Sequence, residues 1–118
     1  MTFIAQFGGE LEEGKLREFQ EWLNANEKEL ANAHPVGAKY LGTYFSIFSS
    51  EKTGGSVHTF VEMESYGTQD ALAEAGRDPA SVYSKLTNEF IEFFDSKSDN
   101  WTNALYKKAT AATLYGKG

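Results

Sequence analysis

The fold of this chain is decided by residues 38–64, AKYLGTYFSIFSSEKTGGSVHTFVEME, which have the pattern of a β-hairpin. Successive residues of a strand point to opposite faces, so each arm of the hairpin has two faces. The first face is largely apolar and comprises Leu41, Thr43, Phe45, Ile47, Val57, Thr59, Val61 and Met63. The second face is mixed and comprises Tyr40, Gly42, Tyr44, Ser46, Phe48, His58, Phe60, Glu62 and Glu64. We expect the first face to pack against helices and the second to cover a partner or a ligand.

Upstream of the hairpin, a short β-prone run at residues 2–7 precedes a helical pattern at residues 12–33. The periodicity of the apolar positions in this second segment is typical of an amphipathic helix. The helix should end before His34-Pro35, because the residue that precedes a proline is disfavoured in the helical conformation. A strand, a long helix and the hairpin therefore form the first part of the chain.

Downstream of the hairpin, Thr68 should cap a short helix that ends at Gly76. Asp78-Pro79 should open another helix, whose apolar stripe runs to about residue 95. A last β-like run at residues 101–107 completes the order βαββαβ. This order predicts an α+β, ferredoxin-like fold, in which a four-stranded antiparallel sheet carries helices on one face. The other face would stay uncovered in a monomer, which favours a homodimer.

Composition limits the function classes. The 118 residues suit one domain, which we place at residues 1–108, followed by a tail at 109–118 that is either mobile or packed on the partner subunit. A net charge of −6 argues against nucleic-acid binding, and no apolar run is long enough to cross a membrane. Without cysteine there is no thiolate nucleophile or cysteine-ligated metal. No signal-peptide pattern is visible, so we expect a cytoplasmic protein.

The helix exit at His34-Pro35 and the strand GAKYLGTY at residues 37–44 resemble the dimeric α+β barrel superfamily. The likeness is greatest to its small stress-responsive A/B barrel and NIPSNAP-like branches. This resemblance implies a homodimer with a small-molecule pocket in each subunit. Members of the superfamily include cofactor-independent oxygenases, isomerases and lyases, haem-dependent enzymes and proteins of no known activity. No catalytic motif of the superfamily is carried over to this chain.

The candidate site residues lie on the mixed face of the hairpin and at the helix exit. His58 is the candidate for proton transfer, because its near-neutral intrinsic pKa is combined with an inward strand position. Glu62, about 13 Å further along the strand, would face a bound molecule from its other end. The residues predicted to contact substrate are Tyr40, Tyr44, Phe60 and His34. His34 has a second interpretation, in which its imidazole serves the helix C-terminus.

Two function classes remain open. The first is an enzyme acting on a small, fairly apolar organic molecule without a cofactor, such as an oxygenase, isomerase or lyase. The second is a non-catalytic dimeric binding or structural protein whose aromatic face is only an interface. The spacing of the two histidines predicts no dedicated metal site. A haem protein with His58 or His34 as axial ligand is a third, weaker alternative. A cavity on the order of 300 Å³ beside His58 would favour the first class.

Overall fold

The computed structural model describes residues 3–49 and 56–110. Its elements, in chain order, are β1 (Phe3–Gly9), α1 (Leu16–Ala33), β2 (Ala38–Phe45), β3 (Val57–Met63), α2 (Thr68–Arg77), α3 (Val82–Ile91) and β4 (Thr102–Lys107). The strands form one antiparallel sheet in the order β2-β3-β1-β4. The predicted ferredoxin-like α+β fold is therefore confirmed.

The core lies between the helices and one face of the sheet, in two clusters. The first cluster joins the centre of the sheet to α2, through the buried residues Phe3, Ala5, Val61, Met63 and Leu72. The second cluster surrounds Phe19 of α1, which has no exposed surface and packs with Val57 and Phe94. Alternate strand residues thus face the helices, as the hairpin pattern predicted, and the opposite sheet face, the open face, carries no helix of the described residues.

A β-bulge in β2 changes the predicted alternation. The pairing of β2 with β3 shifts between Tyr40 and Gly42, and Gly42 has a φ of 144°, a conformation that is rare for residues with a Cβ. Because of this extra residue, Tyr40 pairs with Val61 and Thr43 pairs with Thr59, so both face the helices. The prediction that Tyr40 lies on the open face was wrong, because the strand does not keep a strict period of two across a bulge.

Several element boundaries also differ from the predicted ones. Thr68 is the first residue of α2 rather than its cap, and the cap position, Gly67, makes no side-chain hydrogen bond. The cap of α3 is Ser81, whose Oγ accepts a hydrogen bond from the Ser84 amide, while Asp78 accepts from Ala80 in the preceding turn. Helix α3 ends at Ile91, short of residue 95.

Strand β2 ends at Phe45, so Ile47 and Phe48 lie beyond it with 94% and 88% of their surface exposed. Residues 50–55, which join the two arms of the predicted hairpin, and most of the tail, residues 111–118, lie outside the described residues. Within residues 3–49 and 56–110, none of the helices has the length and apolar character that a bilayer span requires.

Candidate functional site

A pocket of about 300 Å³ lies between the sheet and the helices α1 and α3. Its lining is Phe7, Gly8, Leu30, His34, Tyr40, Thr59, Val61, Tyr83, Thr87, Phe90, Ile91 and Phe94. Most of these side chains are aliphatic or aromatic, and five carry a polar atom. Pockets of this size, with an apolar wall and a few placed polar groups, are typical of small-molecule sites.

The pocket exists because the helices do not fill the sheet evenly. Phe7 lies on the helix-facing side of β1, opposite Thr59, yet 42% of its surface is exposed. Residues further along the same side of the sheet, such as Ala5 and Val61, are buried, with only 1% and 2% of their surface exposed. An apolar ring left uncovered inside a helix-covered face marks the space between α3 and the sheet that a ligand can occupy.

His34 is placed in this pocket by the end of α1. The Nδ1 atom of its ring donates to the Leu30 carbonyl at 2.8 Å, which satisfies one of the last carbonyls of the helix. Burial lowers the pKa of the imidazole, and the bond to Leu30 offsets part of this effect. The ring is therefore neutral at pH 7, with its proton on Nδ1 and a lone pair on Nε2. In the structure, His34 both forms a hydrogen bond at the end of α1 and lines the pocket.

Two tyrosine rings enclose this imidazole. The ring of Tyr83 lies edge-on to His34, with 4.9 Å between centroids, and the ring of Tyr40 lies at 5.5 Å. Burial raises the pKa of the Tyr83 hydroxyl, and a hydrogen bond with Thr87 partly opposes that increase. Since a deprotonated Tyr83 is disfavoured, the wall formed by α3 is neutral.

A chain of hydroxyl groups leads from the pocket to a carboxylate on α1. Tyr40 donates to Glu27 Oε2 at 2.8 Å, and its hydroxyl oxygen lies 2.7 Å from Thr43 Oγ1. Thr43 Oγ1 lies 2.7 Å from Thr59 Oγ1. Burial, first of all, raises the pKa of Tyr40, so this hydroxyl keeps its proton at any moderate pH. The bulge at Gly42 makes this chain possible, because it brings Tyr40 and Thr43 to the same side of the sheet.

The other predicted site residues lie on the open face. His58 pairs with Gly8 and Tyr44, whereas Glu62 pairs with Ile4 and Lys39. The ring of Tyr44 packs edge-on against Phe60 with 5.9 Å between centroids. His58, Glu62, Phe60 and Tyr44 therefore share one face, as predicted, but the sheet separates them from His34 and Tyr40.

His58 is held in a polar network on that open face. Tyr106 donates to Gln6 Oε1 at 2.7 Å, and Gln6 Nε2 donates to His58 Nδ1 at 3.2 Å. A cavity beside His58 would have favoured the enzyme class, but His58 does not line the pocket described above. The pocket is on the other side of the sheet, beside the histidine at the helix exit.

Several pocket residues were not predicted from the sequence. Tyr83, Thr87 and Phe90 are spaced by four and three positions on α3, so they occupy one face of the helix. That spacing was a usable signal for the α3 wall. Glu27 gave no signal, because nothing local distinguishes it from the other acidic residues of α1. Among the described residues, no three acidic or histidine side chains come together as a metal site requires.

Several solved structures share this fold, and three of them are NIPSNAP or NIPSNAP-like proteins. A NIPSNAP-like domain protein from Burkholderia xenovorans, described as uncharacterized, has a TM-score of 0.64 and 12% identity, and the match covers 95% of this chain and 89% of that one. A NIPSNAP domain protein of the same organism has a TM-score of 0.63 and 14% identity, over 93% and 96% of the two chains. A NIPSNAP family protein from Agrobacterium tumefaciens has a TM-score of 0.64 and 8% identity, over 93% and 89%.

The structural similarity establishes the fold, and at identities this low it establishes nothing finer. They confirm the likeness in fold to NIPSNAP-like proteins that the helix exit and the following strand indicated. No protein-family model matches the chain, and no curated protein matches it.

Proposed function

We propose that this ferredoxin-like α+β protein binds a small, largely apolar organic molecule in the pocket between the sheet and α3. The observation that supports the proposal is the pocket itself, with its volume of about 300 Å³ and its neutral His34. For scale, an engineered apolar cavity of about 150 Å³ is large enough to bind benzene. A molecule with one substituted aromatic ring therefore fits the available space.

Titration with ethylbenzene, followed through the amide resonances of the isotope-labelled protein, tests this proposal. Saturable shifts should cluster at the end of α1, along α3 and on the helix-facing residues of β1 and β3. The Thr87→Phe variant should lose them, because the added ring fills the pocket. Asn88→Phe is the matched control, since Asn88 is the exposed neighbour on the same helix. Saturable shifts confined to the open face around His58 would contradict the proposal and would favour the site centred on His58 and Glu62.

Proton transfer is the second candidate function, and the geometry of His34 favours it. A neutral imidazole with its Nδ1 proton held by Leu30 presents Nε2 as a base, which suits a cofactor-independent isomerase, lyase or oxygenase that starts by deprotonating its substrate. Bound 4-nitrophenol should then show the phenolate absorbance band at pH values where the free phenol is neutral. His34→Gln should abolish the band and retain ethylbenzene binding. A band that survives in this variant would exclude His34 as the base.

The partner we propose is a second copy of the chain, stacked on the open face of the sheet. This face carries Tyr44 and Tyr106, which are 55% and 50% exposed, beside the ring of Phe60. Large apolar surface of this kind is usually covered in solution. The predicted alternative of a purely structural dimer interface applies to this face, while the ligand pocket lies on the other.

A further inference from the structure

We propose that the pocket selects apolar molecules that carry a hydroxyl group over the matching molecules that carry a carbonyl group. This inference rests on the proposed small-molecule function and assigns the ligand class of the same site. The reason is that two polar groups of the pocket, His34 and Thr59, have hydrogen-bond partners that leave them only acceptor capacity. A ligand that forms a hydrogen bond with either of these two groups must supply the proton.

Whether the Thr59 hydroxyl can donate to a ligand is decided at the Glu27 end of the chain of hydroxyl groups. The Glu27 carboxylate has no proton to give, so the Tyr40 proton is committed to it. The contact between Tyr40 and Thr43 then needs the Thr43 proton. With that proton committed, the contact between Thr43 and Thr59 needs the Thr59 proton. Thr59, which lines the pocket, is left with lone pairs alone.

The donor and acceptor atoms of the His34 ring are fixed by a separate contact. Its partner at Nδ1 is a backbone carbonyl, which can only accept, so Nδ1 carries the proton. Burial lowers the pKa of the ring, which keeps Nε2 unprotonated at pH 7. No side-chain polar atom of the described residues is both buried and unpartnered. The hydrogen bond of this ring is made by Nδ1, so Nε2 is reachable from the pocket side or from solvent.

The wall formed by α3 does not discriminate between ligands that donate a hydrogen bond and ligands that accept one. Tyr83 and Thr87 both line the pocket with hydroxyl groups, and a hydroxyl group can donate as well as accept. This pair can donate or accept, and it therefore serves a hydroxyl and a carbonyl group alike. The discrimination comes from the opposite wall, where a carbonyl oxygen would face the lone pairs of His34 or Thr59.

Three probes of nearly equal size isolate this effect: ethylbenzene, 1-phenylethanol and acetophenone. The alcohol and the ketone differ in whether the oxygen can donate. A neutral hydrogen bond is worth about fivefold to tenfold in affinity, so the dissociation constant of 1-phenylethanol should be lower than that of acetophenone by at least about fivefold. Amide-shift titrations of the full chain measure all three constants.

Thr43→Val changes the hydrogen-bonding capacity of Thr59 and leaves the pocket lining itself unchanged, because Thr43 is not part of that lining. The substitution removes the acceptor for the Thr59 hydroxyl proton, which then becomes available to a ligand. Acetophenone should bind this variant about fivefold more tightly than it binds the wild-type protein. Thr110→Val, at an exposed position, is the matched control and should leave all three constants unchanged. Thr59→Val is a second variant, and in it the preference for the alcohol should shrink.

The outcomes separate the inference from the function on which it rests. If ethylbenzene binds in the pocket and the alcohol and the ketone bind equally well, the inferred selectivity is wrong and the binding function stands. If none of the three probes binds, the proposed function fails, and the inference fails with it. A preference for the alcohol that is unchanged in both Thr43→Val and Thr59→Val would also overturn the assignment.

Discussion

His34 belongs both to the end of α1 and to the lining of the pocket. Its ring completes the end of α1 through Leu30 and reaches the pocket between Tyr40 and Tyr83. A helix terminus fixes the ring without the need for a dedicated loop, and the surrounding aromatic rings reduce its contact with water. The same burial that shapes the pocket keeps the imidazole neutral.

The lowered pKa of His34 predicts that acid destabilises the folded protein. The unfolded chain binds a proton at the ordinary value of 6.5, whereas the folded protein binds it only at lower pH. The free energy of unfolding should therefore be fully retained above about pH 6.5 and should decline as the pH falls below it. Urea titrations between pH 7 and pH 5 measure this decline. His34→Gln should reduce the slope, and equal slopes in H34Q and the wild-type protein would refute the assignment.

Gly42 is the second residue on which the site depends, since its φ of 144° permits the bulge. A Cβ at this position would also lie 2.9 Å from the Tyr44 hydroxyl. Gly42→Ala should lower the free energy of unfolding by about 1–3 kcal/mol and weaken ethylbenzene binding, because Tyr40 and Thr43 lose their common face. Gly14→Ala is the control, because Gly14 also has a positive φ, 83°, and a Cβ added there would meet no atom within 4 Å. It should cost stability and leave binding intact; unchanged binding in both variants would show that the bulge does not organise the site.

Among the elements, α3 carries one wall of the pocket and its start is set by Ser81. The Ser81 Oγ accepts from the Ser84 amide at 2.9 Å and donates to the Ala75 carbonyl at 2.8 Å, so it links the beginning of α3 to the end of α2. The hydroxyl pairs the Ser84 amide in the first turn of α3 and gives the Ala75 carbonyl a second hydrogen bond, beside the one it accepts from the Asp78 amide at 3.4 Å.

Ser81→Ala should therefore lower the free energy of unfolding by about 1–2 kcal/mol, which is the upper part of the usual range for a helix cap. Asp78→Ala should cost less, because Asp78 bonds only the Ala80 amide in the exposed turn before the helix. Denaturant unfolding of the two variants makes the comparison. A larger loss for Asp78→Ala would mean that the helix is capped at the position expected from the sequence.

Most of the elements were predictable from the sequence, and the site was predictable only in part. The periods of α1 and of the two hairpin arms follow from burial of one face, so they appear directly in the residue pattern. The bulge was the decisive omission, because one inserted residue moves Tyr40 to the other face. An isolated glycine within a strand is a known sign of a bulge, and Gly42 was such a sign. The pocket itself arises from the spacing between α3 and the sheet, which no local pattern encodes.

For the molecule as a whole, the open face predicts self-association. Phe60 lies on this face against the ring of Tyr44. Phe60→Glu should dissociate the proposed homodimer or unfold the protein, because association would bury a charge without a partner. Sedimentation velocity at micromolar concentration provides the measurement. Val36→Glu is the control, since Val36 is 96% exposed in the turn after α1 and should leave the dimer intact. A wild-type protein that sediments as a monomer would exclude the proposed assembly.

The two faces of the sheet would then have separate tasks. One face would hold a second copy through its aromatic residues, and the other holds helices and a pocket of about 300 Å³. Loss of the dimer and loss of ligand binding should accordingly respond to different substitutions, Phe60→Glu for the first and Thr87→Phe for the second.

A crystal structure of the protein with bound 1-(4-bromophenyl)ethanol tests the central claim most directly, because the anomalous signal of bromine locates the ligand without ambiguity. The account predicts one bromine per subunit between α3 and the sheet, beside Phe90 and Ile91, with the hydroxyl group within hydrogen-bond distance of His34 or Thr59. A bromine on the open face beside His58 and Phe60, or crystals that take up no ligand at saturating concentration, would contradict it.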